Sequence, residues 1–282
     1  MTRGRLPAWL LVAVSSQTPS AVHADAPQRV RATSDAAVYF RPLSLELGSS
    51  EVEVLSALVR CKREPLPDRC DETTFAGETP TREESVGGFW MARTEVSVAD
   101  YERCVAAGRC QPPAFEGGGQ RFQRPRFPVT LVTFDDAERY CAFRGGRLPT
   151  EAEFERAARG PRRRAYPWGN AWHGRLANHG RSGVDLGDDS DGFAELAPVG
   201  SFPDGATPEG VLDLAGNVEE WTADRYAVTY GTPPGSERVV RGGSYQSAAP
   251  FLRGAARTGK PPETREPTLG FRCVWPVKPA RD

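Results

Sequence analysis

The sequence has few of the side chains on which most metal and nucleophile chemistry depends. Only three histidines occur among its 282 residues, and none of its six cysteines stands in a C-x-x-C pair. The spacing therefore gives little support to a zinc site or to thioredoxin-like redox chemistry. Ser244 and Ser247 lie outside any G-x-S-x-G context, and no histidine is placed by sequence to activate them, so no nucleophile triad is predicted.

Long hydrophobic runs are also absent. The apolar run Leu6–Val14 is too short to cross a bilayer, and no cysteine follows it to carry a lipid anchor. It comes after Arg3 and Arg5 and before the small-residue pattern Val22–Ala24, which together predict a secretory signal peptide over residues 1–24. The sequence therefore predicts an exported protein, periplasmic or secreted, with no membrane span once the signal is removed.

An excess of positive charge is missing too. Without the two signal-peptide arginines, 34 basic residues remain against 37 acidic ones, a formal charge of −3. That balance argues against nucleic acid or an anionic membrane as a general partner. The one compact basic run, Arg162–Arg164, lies between glycine and proline pairs, so a solvated loop is favoured over a phosphate site.

Glycine and proline, in contrast, are abundant. The 29 glycines and 25 prolines are scattered evenly, which favours a loop-rich fold with short elements over a helical bundle. No internal repeat or convincing linker occurs. We therefore predict a single domain over residues 38–276, preceded by a disordered leader at 25–37 and followed by a tail at 277–282.

Periodicity and capping signals predict short secondary-structure elements with explicit stops. Alternating apolar residues indicate an opening strand through Val38–Leu47, and Val52, Leu55 and Val59 then follow a helical spacing. Further strands are predicted at Gly88–Val96, Val239–Val240 and Phe271–Val274. Three helices are predicted at Val98–Ala107 with Ser97 as N-cap, at Phe134–Phe143, and at Glu151–Ala158 with Thr150 and Glu153 as a capping box.

Carboxylates alternate at the start of the third predicted helix. Glu151, Glu153 and Glu155 stand where negative charge favours the positive end of the helix dipole. Capping and solvation explain them better than acid/base catalysis.

The predicted export determines how the six cysteines are interpreted. An even number in an oxidising compartment indicates disulfides, although six cysteines allow fifteen complete pairings. Two pairs are close in sequence, Cys61 with Cys70 and Cys104 with Cys110. They would leave Cys141 to pair with Cys273 across half of the chain.

Five motifs occur in order along the chain: RLPTEAEFERAARG (147–160), YPWGN (166–170), GVLDLAGNVEEW (210–221), RGGSY (241–245) and LGFRC (269–273). With these motifs the sequence resembles the formylglycine-generating enzyme family, also called sulfatase-modifying factors, from about Phe40 to Val274. The resemblance implies an α+β domain, the family's variant of the C-type lectin fold, rich in irregular structure. It also supports the Cys141–Cys273 pair, because family members have a disulfide between these motif positions.

The resemblance further implies two calcium sites, and irregular loops rich in Gly, Asn and Asp are suited to the oxygen ligands that this ion takes. The alternative is that Asn178 and Asn217 only cap turns, while the acidic loop at 188–191 is solvated. By motif matching, the first site comprises the side chains of Asn178 and Asp191 with the carbonyls of His179 and Phe193; the second comprises the side chains of Asp213 and Glu220 with the carbonyls of Gly216 and Val218.

The segment that frames the catalytic pocket in this family, Arg238–Gly259, contains no cysteine. Active relatives bind copper(I), a soft ion that prefers thiolates, through two cysteines that match Ser247 and Leu252 here. Neither residue replaces a thiolate, so we predict no copper, no catalytic residue and no oxidation of a substrate cysteine to formylglycine.

A second branch of the family, the ergothioneine-pathway sulfoxide synthases, binds iron through three histidines. After signal removal only His173 and His179 remain here, and a site of two histidines and one carboxylate is conceivable on ligand type. Two loop histidines beside a calcium site are the favoured interpretation.

Two functions are compatible with these residues, because a fold alone does not fix chemistry. The first is a calcium-stabilised binding or structural module without redox metal, whose ligand is an unidentified peptide, protein or small molecule. The second is a divergent exported oxidoreductase with a non-cysteine site, similar to family members implicated in pyoverdine maturation. The predicted pocket is lined by Trp221, Ser244, Tyr245 and Phe251.

Overall fold

A computed structural model describes Met1 and residues 37–65, 70–114, 119–181 and 188–277. Apart from Met1, the predicted signal peptide lies outside these residues, as do the predicted leader up to residue 36 and the tail beyond Val277. Within the described ranges, no helix is long and apolar enough to cross a membrane.

The described residues form nine short strands in three sheets. The first sheet has the order β1-β4-β9, the second pairs β2 with β3, and the third has the order β7-β6-β5-β8. All pairings are antiparallel except that of β5 with β8. The strands are β1 Ala37–Phe40, β2 Leu43–Leu47, β3 Arg82–Val86, β4 Phe89–Ala92, β5 Glu219–Arg225, β6 Arg238–Arg241, β7 Arg257–Lys260, β8 Leu269–Gly270 and β9 Val274–Pro276.

Four α-helices pack around these sheets, and each begins at a hydroxyl N-cap. The caps Ser50, Ser97, Thr133 and Thr150 each accept a hydrogen bond from the backbone three residues later. Such caps satisfy amide groups that the helix itself leaves unpaired. The helices are α1 Glu51–Cys61, α2 Val98–Ala106, α3 Phe134–Phe143 and α4 Glu151–Arg159.

The strand boundaries differ from the predicted ones in several places. β4 ends at Ala92, not at the predicted Val96, and β6 extends one residue beyond the predicted Val239–Val240 at each end. The predicted strand at 38–47 is two strands in different sheets, because the chain leaves the ladder at Arg41 and Pro42, and proline has no amide hydrogen to donate. Of the predicted strand Phe271–Val274, only Val274 lies in a strand, β9, and residues 271–273 are the connection between β8 and β9. Its carbonyls accept from the Val96 and Ala92 amides, which extend the first sheet irregularly.

The core has two main parts. In the first part, aromatic side chains of α2 and α3 pack against aromatic residues next to the third sheet. The ring centroid of Tyr140 lies 5.5 Å from those of Tyr101 and Phe271. In the second part, Phe154 of α4 packs in one cluster with Phe40 of β1 and with other buried residues of the first two sheets. Short helices, short strands and long irregular connections together confirm the predicted α+β class.

Three disulfides fasten the irregular connections. The observed pairs confirm the prediction: Cys61–Cys70, Cys104–Cys110 and Cys141–Cys273.

Candidate functional site

A cleft of about 440 Å³ opens where the ends of β6 and β7 face a one-turn 3-10 helix, Ala76–Glu78. Gly243, Ser247 and Phe251 line it from the cysteine-free segment, and Arg257 of β7 lines it from the sheet. The cleft therefore lies beside the cysteine-free segment Arg238–Gly259, and its chemistry depends on Ser247 and its neighbours.

Ser247 is bound into the turn that contains it. Its hydroxyl oxygen accepts the Ser244 amide at 3.0 Å, and its own amide donates to the Ser244 carbonyl at 2.9 Å. The Ser244 hydroxyl in turn accepts the Gln246 amide at 3.2 Å. These hydrogen bonds give both serines a structural role, and no described histidine contacts either hydroxyl.

Leu252 is fully buried and completes a small apolar cluster with Tyr166 and Ala215. Gly243 has a φ of +66°, and a methyl group added there would lie 2.5 Å from Leu252 Cδ2 and 3.3 Å from Ser247 Cβ. The structure thus brings Ser247 and Leu252 together against one glycine. No free thiol lies among the described residues.

Of the four residues predicted to line the pocket, only Phe251 reaches the cleft, where its ring lies 5.4 Å from that of Phe75. Trp221 is instead fully buried in the aromatic core, with its indole 3.4 Å from the Val132 carbonyl. Tyr245 belongs to the same core, and burial raises the pKa of its phenol to about 12.

A buried ionic network, which sequence reasoning missed, supports the sheet side of the cleft. The Arg241 guanidinium donates to Glu151 at 2.6 Å and to Glu155 at 2.9 Å. Arg257 donates to the same Glu151 carboxylate, also at 2.6 Å. The signal available in the sequence was the i, i+4 spacing of Glu151 and Glu155, which puts both carboxylates on one face of α4.

The three α4 glutamates were predicted to cap the helix or to lie in solvent. Only the capping prediction is correct. All three are buried, with Glu151 3% and Glu155 0% exposed. Burial alone would raise the pKa of Glu151, but Arg241 and Arg257 outweigh it and hold that pKa below its ordinary value. Glu153 completes the capping box with Thr150, as predicted, and pairs with Arg147.

The first predicted calcium site contains a buried oxygen without a partner. The Asn178 amide nitrogen donates to the Glu195 carbonyl at 2.8 Å, while its side-chain oxygen has no hydrogen-bond partner among the described residues. The Asp191 carboxylate accepts the amides of His179 at 2.7 Å and Phe193 at 2.8 Å, and burial raises its pKa. Asp191 thus contacts the backbone of the residue that follows Asn178, and amide and carboxylate oxygens are ligands that a hard cation takes.

The second predicted calcium site contains two carboxylates, but hydrogen bonds already occupy most of their oxygens. Arg272 donates to both Glu220 oxygens, at 2.7 and 2.6 Å, and the Asp213 carboxylate accepts the Gly200 amide at 2.6 Å. Burial raises the pKa of both carboxylates. Neither Asp213 nor Glu95 has an ion pair with a guanidinium among the described residues, and burial, followed by the neighbouring Asp213 charge, raises the pKa of Glu95.

Asn217 connects the two predicted sets. Its side-chain oxygen accepts from Asn178 at 2.9 Å, and its amide donates to Glu95 at 2.9 Å. A side chain at Gly216 would collide with the Asn178 carbonyl, so the two loops touch. The described residues contain no group of three or more His, Cys, Asp and Glu side chains placed to hold a metal, so carbonyl and amide oxygens would have to supply most ligands.

Neither His173 nor His179 lies in a group of metal-ligating side chains among the described residues. The His179 ring lies edge-on to Trp172 with centroids 5.1 Å apart, and its backbone, not its ring, contacts Asp191. His173 precedes a short 3-10 helix at Gly174–Leu176.

Comparison with known proteins agrees with the five motifs. The family of the "Sulfatase-modifying factor enzyme 1-like domain" matches residues 24–277. The chain belongs to this family. It is 41% identical over 225 residues to "Inactive C-alpha-formylglycine-generating enzyme 2" of Bos taurus, covering 72% of this chain and 73% of that protein.

Catalytic relatives in the sulfatase-modifying factor family are also similar. The "Formylglycine-generating enzyme" of Mus musculus is 31% identical over 274 residues, covering 73% of this chain and 71% of the enzyme. Among solved structures, PvdO from Pseudomonas aeruginosa superposes with a TM-score of 0.65 and 23% identity over 84% of this chain and 93% of PvdO. The fold is therefore the family's variant of the C-type lectin fold.

Proposed function

We propose that this protein is an exported binding or structural module of the sulfatase-modifying factor family that does not generate formylglycine. Its ligand would be a peptide, a protein or a small molecule that enters the cleft beside Phe251.

The observation that carries the proposal is the environment of Ser247 and Leu252. The Ser247 hydroxyl accepts a hydrogen bond from the backbone of its own turn, and the apolar side chain of Leu252 is buried against Tyr166. Copper(I) prefers thiolate ligands, and every cysteine of the described chain is in a disulfide. The similarity to a relative whose name calls it inactive supports the same conclusion.

Export and calcium belong to this proposal as well. Three disulfides are typical of proteins that fold in oxidising compartments, which supports the predicted signal peptide. The unpaired Asn178 oxygen and the Asp191 carboxylate support calcium at the first site. There the ion would join two loops that the sequence leaves irregular. The second set remains a prediction, with Asp213 and Glu220 as its side-chain ligands.

The test of the missing activity is direct. The purified protein is incubated with copper(I) and a Cys-x-Pro-x-Arg peptide, and the product is analysed by mass spectrometry for formylglycine. We expect no product above the copper-only control. An active family enzyme in the same buffer serves as the positive control, and turnover comparable to that enzyme would refute the proposal.

A divergent oxidoreductase with a non-cysteine site is the second candidate, because the frame around Arg241 and the cleft are retained. Metal analysis of the purified protein separates the two. Calcium without a redox metal agrees with the binding module, whereas stoichiometric iron or copper favours the oxidoreductase.

A further inference from the structure

Helix α1 carries two apolar faces, and the described residues of the chain cover only one of them. The inner face packs through Ala57 and Leu58 against the cluster that contains Phe75 and Phe251. The outer face consists of Val52, Leu55 and Val59, whose exposed fractions are 75%, 59% and 52%. We call these three residues the α1 stripe.

The α1 stripe is continuous along the helix. Spacings of three and four residues put Val52, Leu55 and Val59 on one side, over roughly 10 Å of helix axis. A single exposed apolar residue is ordinary, whereas a contiguous row of three large ones is a candidate contact surface.

Unpaired charges of opposite sign flank the α1 stripe. Glu51 lies before its first residue, and Lys62 and Arg63 follow its last one; all three are exposed, and none forms an ion pair with any described residue. Glu53, two residues after the first residue of α1, differs because Arg159 and Arg163 form ion pairs with it. The outer face is thus acidic at one end, apolar in the middle and basic at the other.

We propose that the α1 stripe is the contact between two copies of this chain, with the two α1 helices antiparallel across a two-fold axis. Leu55 would lie near the axis, and Val52 of each copy would meet Val59 of the other. Glu51 would then face the Lys62 and Arg63 of the second copy. An isologous interface requires such self-complementarity, and a parallel arrangement would oppose like charges at both ends.

The size of the α1 stripe limits the strength of this contact. One helix face of three apolar residues buries less than a standard protein interface, so the dimer should be weak, with a dissociation constant on the order of 10–100 µM. The inference is independent of the proposed function, since the outer face points away from the residues that line the cleft.

Sedimentation equilibrium of the purified chain across that concentration range tests the contact. We expect a monomer–dimer equilibrium that Leu55→Glu weakens about tenfold or more, because two like charges would then meet at the axis. Val277→Glu, which changes an exposed valine outside α1, should leave the equilibrium unchanged. Circular dichroism confirms that both variants are folded.

A charge exchange tests the orientation and does not alter the α1 stripe. Glu51→Arg alone gives a helix with basic residues at both ends, and Lys62→Glu/Arg63→Glu gives one with acidic residues at both ends. Each variant alone should associate more weakly than wild type, and an equimolar mixture should regain the wild-type affinity as a heterodimer. Raised salt should reduce these differences, because the charges are exposed.

Three outcomes would overturn the inference. The chain could stay monomeric throughout the range. It could dimerise with the same affinity in Leu55→Glu, which would assign the contact to another face. It could instead bind anionic lipid vesicles through the α1 stripe while remaining monomeric, which would make α1 a membrane-surface helix.

Discussion

Arg241 holds two carboxylates of α4 at the base of the cleft, and it is itself 1% exposed. A buried ion pair contributes little compared with a well-packed apolar pair, but removing one partner leaves the other charge without compensation. The network therefore fixes how α4 packs against β6, and its members depend on one another.

Replacing Arg241 with methionine should lower the free energy of unfolding by about 3–5 kcal/mol, because Glu151 and Glu155 each lose a buried partner. Urea denaturation at neutral pH measures the change. Arg103→Met is the matched control, since its pair with Asp100 is exposed and is expected to contribute no more than about 1 kcal/mol. Equal effects at the two positions would contradict the network.

The lowered pKa of Glu151 predicts a pH dependence. A carboxyl whose folded-state pKa is depressed stabilises the protein above its unfolded pKa of about 4.3, and this contribution is lost as pH falls through the folded value. The difference in unfolding free energy between wild type and Glu151→Gln should therefore be largest near neutral pH and shrink toward pH 3. A difference independent of pH would show that the charge of Glu151 does not matter.

At the scale of elements, local signals predicted the helices well. The boundaries of α3, Phe134–Phe143, match the prediction. Thr133 caps the N-terminus and Gly145 follows the C-cap, so residues next to the helix determine both ends. The α4–sheet ion pairs join residues that are 86 to 106 positions apart, and no local pattern specifies such a partner. Glu95 was missed for the same reason, since only the fold brings it to Asn217.

The three disulfides should contribute differently to the free energy of unfolding, because they close loops of different lengths. In the chain-entropy account, Cys141–Cys273, with a separation of 132 residues, contributes about 5 kcal/mol, and Cys104–Cys110, with a separation of 6, about 2 kcal/mol. Paired alanine substitutions measured by denaturation compare them. A larger loss from the short loop would show that local strain or packing dominates.

At the scale of the whole molecule, the loops around Asn178 and Asn217 join segments far apart in sequence, so an ion bound there would stabilise the entire domain. A hundredfold excess of calcium over its dissociation constant adds about 2.7 kcal/mol to a native state that alone binds it. A chelator should therefore lower the melting temperature measured by calorimetry.

Two variants refine this calcium prediction. Asp191→Asn removes one ligand charge and should abolish the response to chelator, whereas Asp204→Asn, at an exposed position, should retain it. A melting temperature that ignores both calcium and chelator would remove these loops from consideration as an ion site.

The packing of Leu252 against Tyr166 also bears on how thiols could be introduced at positions 247 and 252. Restoring the thiols needs two substitutions at once, and Leu252→Cys would leave a void in a packed cluster. Two further cysteines would also raise the number of complete pairings available during oxidative folding from fifteen to more than one hundred. A six-cysteine chain reaches its native disulfides with fewer wrong partners, so serine and leucine at positions 247 and 252 simplify oxidative folding.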